Sequence, residues 1–490
     1  MRSDLNLRQR YRAILSHTGL VLCIAGLLLL TPLLALIAWP GEWVNSVGFI
    51  LPAVLLLGLG LVVWRLLRPH GSVILTVQEG GVVVLLSWVV TCLFSALPFV
   101  FIQKLGFSQA LFESVSGWTT TGLSVVDVTK APHIILLWRS IMQLAGGAGL
   151  AIIMLAAIAG PTGPGLSAAE GRGEQLVPHV RESARIVATI YAGYALIGSL
   201  AYWLAGMDLF DAINHAFAAI STGGFSTRPE SIGHWNSVAV EAVTIPLMIL
   251  GNLNFLTAYL LLHGKLRAVY RNGEARISCV LTPVCALLVF LLVCRGIYAS
   301  LGKSLRVAVF EVVTALTTTG FSTVSYSNWN SIGFLILIVL MLIGGGTCST
   351  AGGIKQYRVY LLLKSLVWEI RRPLLPRTAV VENYIWQGER KDFINHTRIQ
   401  QAAIFVFLYI VLFITGSGIL AAHGYELRDS LFEFASALGT VGLSVGITNA
   451  SSPPIVLWTE ILGMFLGRLE FFVVFVSLGK IIRDSATILR

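Results

Sequence analysis

Four short segments that combine threonine or serine with glycine are the part of this sequence best suited to chemistry, and that chemistry is the binding of a bare cation. They read TTTGLS at 119–124, STGGFS at 221–226, TTTGFS at 317–322 and GTVGLS at 439–444. An ion that leaves water needs replacement oxygens, which stacked backbone carbonyls supply without adding fixed charge. Glycine permits the dihedral angles that turn successive carbonyls toward an axis, and threonine adds a hydroxyl oxygen.

The candidate ion-binding residues are the aligned glycine of each segment and the two residues before it. They are Thr120, Thr121, Gly122, Thr222, Gly223, Gly224, Thr318, Thr319, Gly320, Thr440, Val441 and Gly442. The last three repeat the first residues of the K⁺-channel signature. The aligned glycines recur at intervals of about one hundred residues, which indicates an internal repeat. The alternative is four unrelated loops in which glycine ends a helix, and the shared register of the copies argues against it.

An acidic residue stands at the same distance before the glycine in three of the four copies. It is Glu113, Glu311 or Glu433, and His215 takes its place in the second copy. We expect these carboxylates to begin short half-helices and to cap them, because negative charge is favourable at a helix N-terminus. Attraction of cations is the alternative role. The histidine makes fourfold symmetry approximate.

The elements that must position these segments are membrane helices. Of 490 residues, 56% are hydrophobic and only 12% are charged, and the mean hydropathy is +0.81, which excludes a water-soluble protein. Apolar runs long enough to cross a bilayer recur along the chain, for example at 18–37, 80–100, 183–204 and 455–478. Each segment follows a stretch too short to span the membrane, which predicts a re-entrant half-helix whose irregular backbone lines a pore.

The predicted fold is therefore an all-α integral membrane protein with four membrane-pore loop-membrane repeats around one ion pore. An N-terminal two-helix extension precedes the repeats, which gives about ten spans. The predicted divisions are 1–70 for the extension, then 71–165, 166–270, 271–380 and 381–490 for repeats 1 to 4.

The formal charge of +10 is explained by topology rather than by nucleic acid. The basic residues are distributed among short loops, and with ten spans and a cytoplasmic N-terminus most of them fall on the inner side. Both termini are then cytoplasmic. The sequence has no nucleotide-phosphate loop and no His/Glu pair at metal-ligand spacing, so we expect neither an enzyme nor an organic cofactor.

The repeated segments, the glycine-rich stretch 344–355 and the Gly-Arg-Leu-Glu stretch 467–470 resemble the Trk/Ktr/HKT superfamily of potassium transporters. Within it, the extra apolar pair at about 18–38 and 47–67 favours the bacterial TrkH type. The resemblance covers almost the whole chain. It implies K⁺ as the transported ion and a multi-pass location in the bacterial cytoplasmic (inner) membrane. It also implies a homodimer with one pore per subunit, in contact with membrane lipid, and a TrkA-like cytoplasmic subunit with nucleotide-binding regulatory domains.

The resemblance further assigns a gate to an intramembrane loop beneath the pore loops. The gate residues are Gly344, Gly345, Gly346, Thr347, Cys348, Ser349, Thr350, Ala351, Gly352, Gly353 and Arg468. A glycine run also disfavours an unbroken helix, since each interior glycine costs about 1 kcal/mol relative to alanine. Close helix packing is the alternative for the loop, and an ion pair with another helix is the alternative for Arg468. Lys355 is expected to reach lipid headgroups or water.

The predicted function is K⁺ uptake through a selectivity filter made by the four loops. Glycine at all four aligned positions favours K⁺ and Rb⁺ over Na⁺ in this superfamily, and a Na⁺-permeable member is one alternative. Another is a secondary transporter of a different solute, which would normally have inverted repeats, whereas these repeats share one orientation. Both a passive channel and an ion-coupled symporter are compatible with these residues.

Overall fold

Long apolar helices make up most of the molecule in the computed structural model, which describes residues 2–69, 75–149, 180–298, 300–376, 382–387 and 390–488. The helices of this part of the chain are α1 (Arg2–Leu28), α2 (Val47–Leu66), α3 (Val77–Gln103), α4 (Phe107–Trp118), α5 (His133–Ala148), α6 (Val180–Leu204), α7 (Leu209–Ile220), α8 (Val238–Asn252), α9 (Phe255–Leu262), α10 (Leu266–Arg271), α11 (Gly273–Leu292), α12 (Leu301–Leu316), α13 (Ser331–Ile343), α14 (Gln356–Arg371), α15 (His396–Ala422), α16 (Leu427–Leu438), α17 (Pro454–Leu469) and α18 (Phe471–Ile488). Short 3₁₀ turns lie at Thr31–Ile37, Pro40–Ser46, Ser231–His234, Cys294–Gly296 and Arg372–Leu374. An antiparallel hairpin pairs β1 (Tyr384–Gln387) with β2 (Arg390–Phe393).

Six helices in the described ranges are long and apolar enough to cross a membrane. Two further pairs pass the same test together but bend sharply, α8 with α9 by 118° and α17 with the following helix by 97°. The prediction of an all-α integral membrane protein is confirmed.

The same succession of elements occurs four times. A long helix is followed by a short one, then by a glycine segment and a second apolar helix: α3-α4-α5, α6-α7-α8, α11-α12-α13 and α15-α16-α17. The short helices α4, α7, α12 and α16 are the predicted half-helices, and we call them pore helices. Their buried residues include Phe112, Phe310 and Phe432, which are fully enclosed by the surrounding helices. The pore helices therefore form the interior of the molecule.

The N-terminal extension is a tightly packed helical pair. A Cβ added to Gly19 of α1 would lie 2.7 Å from the carbonyl of Gly60 in α2, and the reverse distance is also 2.7 Å. Small residues at such a crossing allow two backbones to approach closely in a membrane. Of the predicted divisions, those at 70/71, 165/166 and 380/381 lie outside the described residues, and the division at 270/271 falls within α10.

The second helix of each repeat is short, with 13 to 16 residues. α5 ends before Gly149, α8 before Leu253, α13 before Gly344 and α17 before Glu470. The prediction of one unbroken helix over 455–478 is therefore wrong. Glu470 has a φ of 54° and its carboxylate accepts a hydrogen bond from Arg358 at 2.7 Å. A residue with a positive φ cannot continue a right-handed α-helix, so the chain turns at Glu470, where the ion pair is also found.

Candidate ion-binding site

The four glycine segments have the same backbone conformation. We call them loop 1 (119–124), loop 2 (221–226), loop 3 (317–322) and loop 4 (439–444). In each, a threonine with φ between 50° and 56° is followed two residues later by a glycine with φ between 69° and 99°. The threonines are Thr120, Thr222, Thr318 and Thr440, and the glycines are Gly122, Gly224, Gly320 and Gly442. A left-handed conformation is uncommon outside glycine, so its recurrence in four threonines indicates a common structural purpose.

The loops close into one ring. A Cβ added to each aligned glycine would collide with the carbonyl that precedes the aligned glycine of another loop. The pairs are Gly122 with the Gly223 carbonyl, Gly224 with Thr319, Gly320 with Val441, and Gly442 with Thr121. This order passes from loop 1 through loops 2, 3 and 4 and returns to loop 1. The structure thus brings all twelve predicted residues together around one axis, and glycine is required where each loop meets the next.

The chemistry of the ring suits a cation. Each pore helix ends directly at its loop, at Trp118, Ile220, Leu316 or Leu438. The C-terminal end of a helix carries a partial negative charge of about half an elementary charge. Four such ends and the adjacent carbonyls create a negative potential without an ionised side chain at the ring itself.

Threonine hydroxyls add oxygens to one side of the ring. The hydroxyls of Thr120 and Thr440 are buried and have no hydrogen-bond partner among the described residues. A buried hydroxyl without a partner is costly, and a cation held near its oxygen would remove that cost. The Thr222 hydroxyl donates to the Ser221 carbonyl at 2.7 Å, while the Thr318 hydroxyl accepts from the Gly352 amide at 2.7 Å.

The acidic residues of the pore helices hold the loops in place. Glu113 lies within α4, not at its start, and its carboxylate accepts hydrogen bonds from the Val125 amide at 3.0 Å and the Ser124 hydroxyl at 2.9 Å. Glu311 and Glu433 accept from the amides of Thr323 and Val445, both at 2.9 Å. The prediction that these residues cap helix N-termini is wrong, because the pore helices begin earlier. Each carboxylate instead fixes the chain that leaves its loop.

The second copy uses a different arrangement. His215 is fully buried, and its Nδ1 lies 2.8 Å from the Asp211 carbonyl, so Nδ1 must carry the proton. Its Nε2 then accepts from the Ser226 hydroxyl at 2.8 Å.

A buried arginine of α5 connects the first two loops. Arg139 donates to Glu113 at 2.7 Å and to the Ser226 carbonyl at 2.9 Å. Arg139 thereby links the outer ends of loops 1 and 2.

Replacing Glu311 by glutamine tests the carboxylate contacts. Glu311 accepts from the Thr323 amide and hydroxyl and from the Tyr326 hydroxyl at 2.5 Å. An amide offers one acceptor oxygen instead of two, so at least one buried donor loses its partner, at a cost of about 1–3 kcal/mol. We expect the K⁺ over Na⁺ permeability ratio of Glu311→Gln to fall at least several-fold in liposome flux assays. The exposed residue Glu426, changed to glutamine, serves as the control and should retain the wild-type ratio.

A cavity of about 1030 Å³ opens on the other side of the ring from the hydroxyls. Its lining includes the four aligned glycines as well as Asp127 and Arg428. The Arg428 guanidinium is paired with Asp429 at 2.9 Å. The Thr129 hydroxyl donates to Asp127 and lowers the pKa of that carboxyl, which therefore stays charged at neutral pH. The cavity is a vestibule through which a hydrated cation can reach the ring.

The predicted gate segment lies against the hydroxyl side of the ring. α13 ends at Ile343 and α14 begins at Gln356, so the helix is interrupted over the glycine-rich stretch. The Thr350 hydroxyl donates to the carbonyls of Ile220 at 3.1 Å and Gly251 at 2.8 Å. Gly352 contacts loop 3 through Thr318, and a Cβ added to Gly352 would collide with the Thr440 hydroxyl of loop 4. The segment 344–353 thus covers the hydroxyl side of the ring.

Polar contacts from repeats 2 and 3 hold this segment. Buried Glu274 accepts from the Thr347 amide at 2.7 Å and hydroxyl at 2.6 Å, and the Gly346 amide donates to the Asn252 side chain at 3.1 Å. The Lys355 ammonium donates a hydrogen bond to the Ala351 carbonyl, so the end of the segment folds back on itself. That Lys355 also reaches lipid headgroups or water stays a prediction.

Arg468 joins the gate segment to repeat 1. Its guanidinium donates to the Thr350 carbonyl at 2.5 Å and to the Gly146 carbonyl at 2.7 Å. The residue lies in the last turn of α17, near the bend at Glu470, rather than in the middle of a continuous helix. Its partners in these bonds are backbone carbonyls. The structure therefore brings a fixed positive charge beside the segment that covers the ring.

Sequence reasoning missed the two polar residues of α5 that contact the loops, Arg139 and Gln143. Both are buried, although arginine and glutamine are seldom enclosed. The available signal was their spacing, since residues four apart lie on one face of a helix. Two such residues in an otherwise apolar run indicate a face turned toward polar groups.

The fold and the ring define a multi-pass helical membrane protein built around four converging loops. A family model described as a cation transport protein, TrkH, matches residues 63–487. The chain therefore belongs to the TrkH family of cation transport proteins, and it is not an enzyme.

Individual relatives cover nearly the whole chain. The Trk system potassium uptake protein TrkH of Escherichia coli K12 is 32% identical over 485 residues, with 95% of this chain and 98% of the relative covered. An uncharacterised cation transporter of Methanocaldococcus jannaschii is 28% identical and covers 97% of both chains. The crystal structure of the potassium transporter TrkH from Vibrio parahaemolyticus superposes with a TM-score of 0.81 at 29% identity, covering 95% of this chain and 98% of that one.

Proposed function

We propose that this chain carries K⁺ into the cell through the ring of loops 1 to 4, which acts as a selectivity filter. The closed ring of aligned glycines and neighbouring carbonyls is the observation that carries the proposal, because it creates an oxygen-lined passage without ionised side chains. The ion ligands are the carbonyls of the twelve predicted residues together with the hydroxyls of Thr120 and Thr440. The names of the bacterial relatives support potassium as the transported ion.

Ion flux into proteoliposomes tests this function. The purified protein should take up Rb⁺ and K⁺ down their gradients and discriminate against Na⁺ under equal gradients. Liposomes without protein are the control. Equal passage of Na⁺ and K⁺ would contradict the selectivity, and the absence of Rb⁺ flux under an applied gradient, with the protein correctly inserted, would contradict the function.

The proposal includes a gate formed by 344–353 and Arg468. The gate segment covers the hydroxyl side of the ring and contacts loops 2, 3 and 4 through Thr350 and Gly352, so a cation that leaves the ring must displace it. Cys348 and Lys355 have φ values of 53° and 82°, which are strained for residues other than glycine. Because the gate segment is strained and held by a few polar contacts, it can adopt a second conformation in which it no longer covers the ring.

Deleting several residues within 345–352 tests the gate. The shortened segment can no longer reach Thr222 and Thr318, so we expect K⁺ flux to rise several-fold and to depend less on a cytoplasmic partner. The measurement is Rb⁺ uptake by protein that elutes as a single peak in detergent. Unchanged or lower flux in correctly inserted protein would contradict a gate.

The remaining assignments extend this proposal. The TrkH relatives are named as parts of a Trk system, which supports a TrkA-like regulatory subunit on the cytoplasmic side. The basic segment from Lys355 to Arg398 is the candidate docking surface, and anionic lipid is its other possible partner. A pull-down of soluble nucleotide-binding proteins separates the two.

We further propose a homodimer with one pore per subunit, both termini in the cytoplasm, and the division into an extension and four repeats given above.

A further inference from the structure

Loop 2 lacks a contact found in loops 1 and 4, where a serine hydroxyl of the preceding pore helix accepts a hydrogen bond from the amide of the aligned glycine. In loop 1, the Ser116 hydroxyl accepts from the Gly122 amide at 3.1 Å and donates to the Leu123 carbonyl at 2.5 Å. In loop 4, the Ser436 hydroxyl accepts from the Gly442 amide at 2.9 Å. The corresponding residue before loop 2 is Ala218, which has no hydroxyl. The aligned glycine of loop 2 therefore cannot be held in this way.

The carboxylate contact is also missing from loop 2. The other three loops are followed by a backbone amide that donates to a buried glutamate. His215 stands at that position and accepts only from a side-chain hydroxyl, since its other nitrogen donates to a carbonyl. Loop 2 thus lacks both the hydroxyl contact of loops 1 and 4 and the carboxylate contact of loops 1, 3 and 4. It is also the loop that has glycine, Gly223, directly before its aligned glycine.

Gln143 of α5 contacts loop 2 at two other backbone groups. Its side chain is fully buried, its Nε2 donates to the Gly223 carbonyl, and its Oε1 accepts from the Phe225 amide at 3.2 Å. The two contacts fix the orientation of the carboxamide, because only the nitrogen can donate and only the oxygen can accept. A Cβ added to Gly223 would collide with the carboxamide, which explains why threonine or valine of the other loops is replaced by glycine here.

The position of this carbonyl matters for the ring. The Gly223 carbonyl is the one that Gly122 faces where loop 1 meets loop 2. A shift of that oxygen by a fraction of an ångström changes the size of the ring, and with it the fit of a dehydrated cation. Gln143 belongs to repeat 1 but acts on repeat 2.

We propose that Gln143 is the positioning residue of loop 2, supplying from repeat 1 the support that Ala218 and His215 do not give, and that it thereby sets the selectivity of the ring for K⁺ over Na⁺. This inference rests on the proposed function. It also predicts that a hydroxyl introduced at Ala218 compensates in part for loss of the carboxamide, because the geometry of loops 1 and 4 would then be available to loop 2.

The test is the K⁺ over Na⁺ permeability ratio of purified variants in proteoliposomes. Gln143→Leu keeps the approximate volume but removes both hydrogen bonds, so the ratio should fall by at least about tenfold. The double variant Gln143→Leu with Ala218→Ser should recover part of the ratio. Gln109→Leu, a glutamine on the outer side of α4 that contacts the Ala450 carbonyl, is the matched control and should retain the wild-type value.

Gln143→Glu adds a readout that a general packing role would not produce. A protonated carboxyl group has one donor and one acceptor, as the amide does, whereas the ionised form cannot donate to the Gly223 carbonyl. Its ratio, divided by that of wild type at the same pH, should therefore rise as the pH falls. A wild-type ratio in Gln143→Leu would overturn the inference, as would a pH-independent relative ratio in Gln143→Glu if the leucine variant does not fold. A wild-type protein that fails to discriminate would instead overturn the proposed filter.

Discussion

Arg468→Ala is expected to increase K⁺ flux by at least about tenfold. The substitution removes a fixed positive charge and also the hydrogen bonds that hold the gate segment to α5. The guanidinium ties the Thr350 carbonyl of the gate segment to the Gly146 carbonyl at the end of α5. Two unit charges 4 Å apart repel by about 4 kcal/mol at an effective dielectric constant of about 20. At about 8 Å the same repulsion is about 2 kcal/mol, which is more than the roughly 1.4 kcal/mol that corresponds to a tenfold change in rate.

Arg468→Lys separates the two contributions. Lysine keeps the positive charge but cannot present the planar fork that reaches two carbonyls at once, so most of the electrostatic barrier should remain. The measurement is initial Rb⁺ uptake at equal protein density. Arg483→Ala, an exposed arginine of α18, is the control. Wild-type flux in a well-folded Arg468→Ala protein would exclude the barrier role, and loss of membrane insertion would indicate a structural role.

Gly320→Ala is expected to reduce K⁺ flux more than tenfold and to abolish discrimination against Na⁺. Gly320 has a φ of 83°, a left-handed conformation that costs an L-residue about 1–2 kcal/mol. The larger effect is steric, since the added Cβ would collide with the Val441 carbonyl. That carbonyl belongs to loop 4, so relief of the collision must widen the ring.

The matched control is Gly418→Ala. Gly418 lies within α15, and apart from its own helix backbone and chain neighbours no atom in the described part of the chain comes within 4 Å of a Cβ added there. Alanine is also the better helix former by about 1 kcal/mol, so this variant should be at least as stable as wild type. Both variants are compared by Rb⁺ uptake and by the K⁺ over Na⁺ permeability ratio. If Gly320→Ala retained the wild-type ratio, the aligned glycines would not be the contact points of a filter.

The repeat and its loops were readable in the sequence because they depend on local chemistry. The positive φ values of Gly122 and Gly320 favour glycine, and the glycine content of 344–353 disfavours a continuous helix there. Membrane insertion likewise depends on apolar runs, which are properties of consecutive residues. These features therefore leave a signature in the order of the amino acids.

Tertiary structure decided which residue supports which loop. Glu113 acts on Val125 of its own repeat, whereas Gln143 acts on Gly223 of the next repeat, and nothing in their spacing distinguishes the two cases. The bend at Glu470 coincides with an ion pair to Arg358, more than one hundred residues away, and neither feature can be read from the apolar run that contains Glu470. Hydrogen bonds and charges act over a few ångströms in space without regard to sequence separation. For that reason the sequence determined the ring and the gate segment, while the partners that hold them were decided only by the packing of the helices.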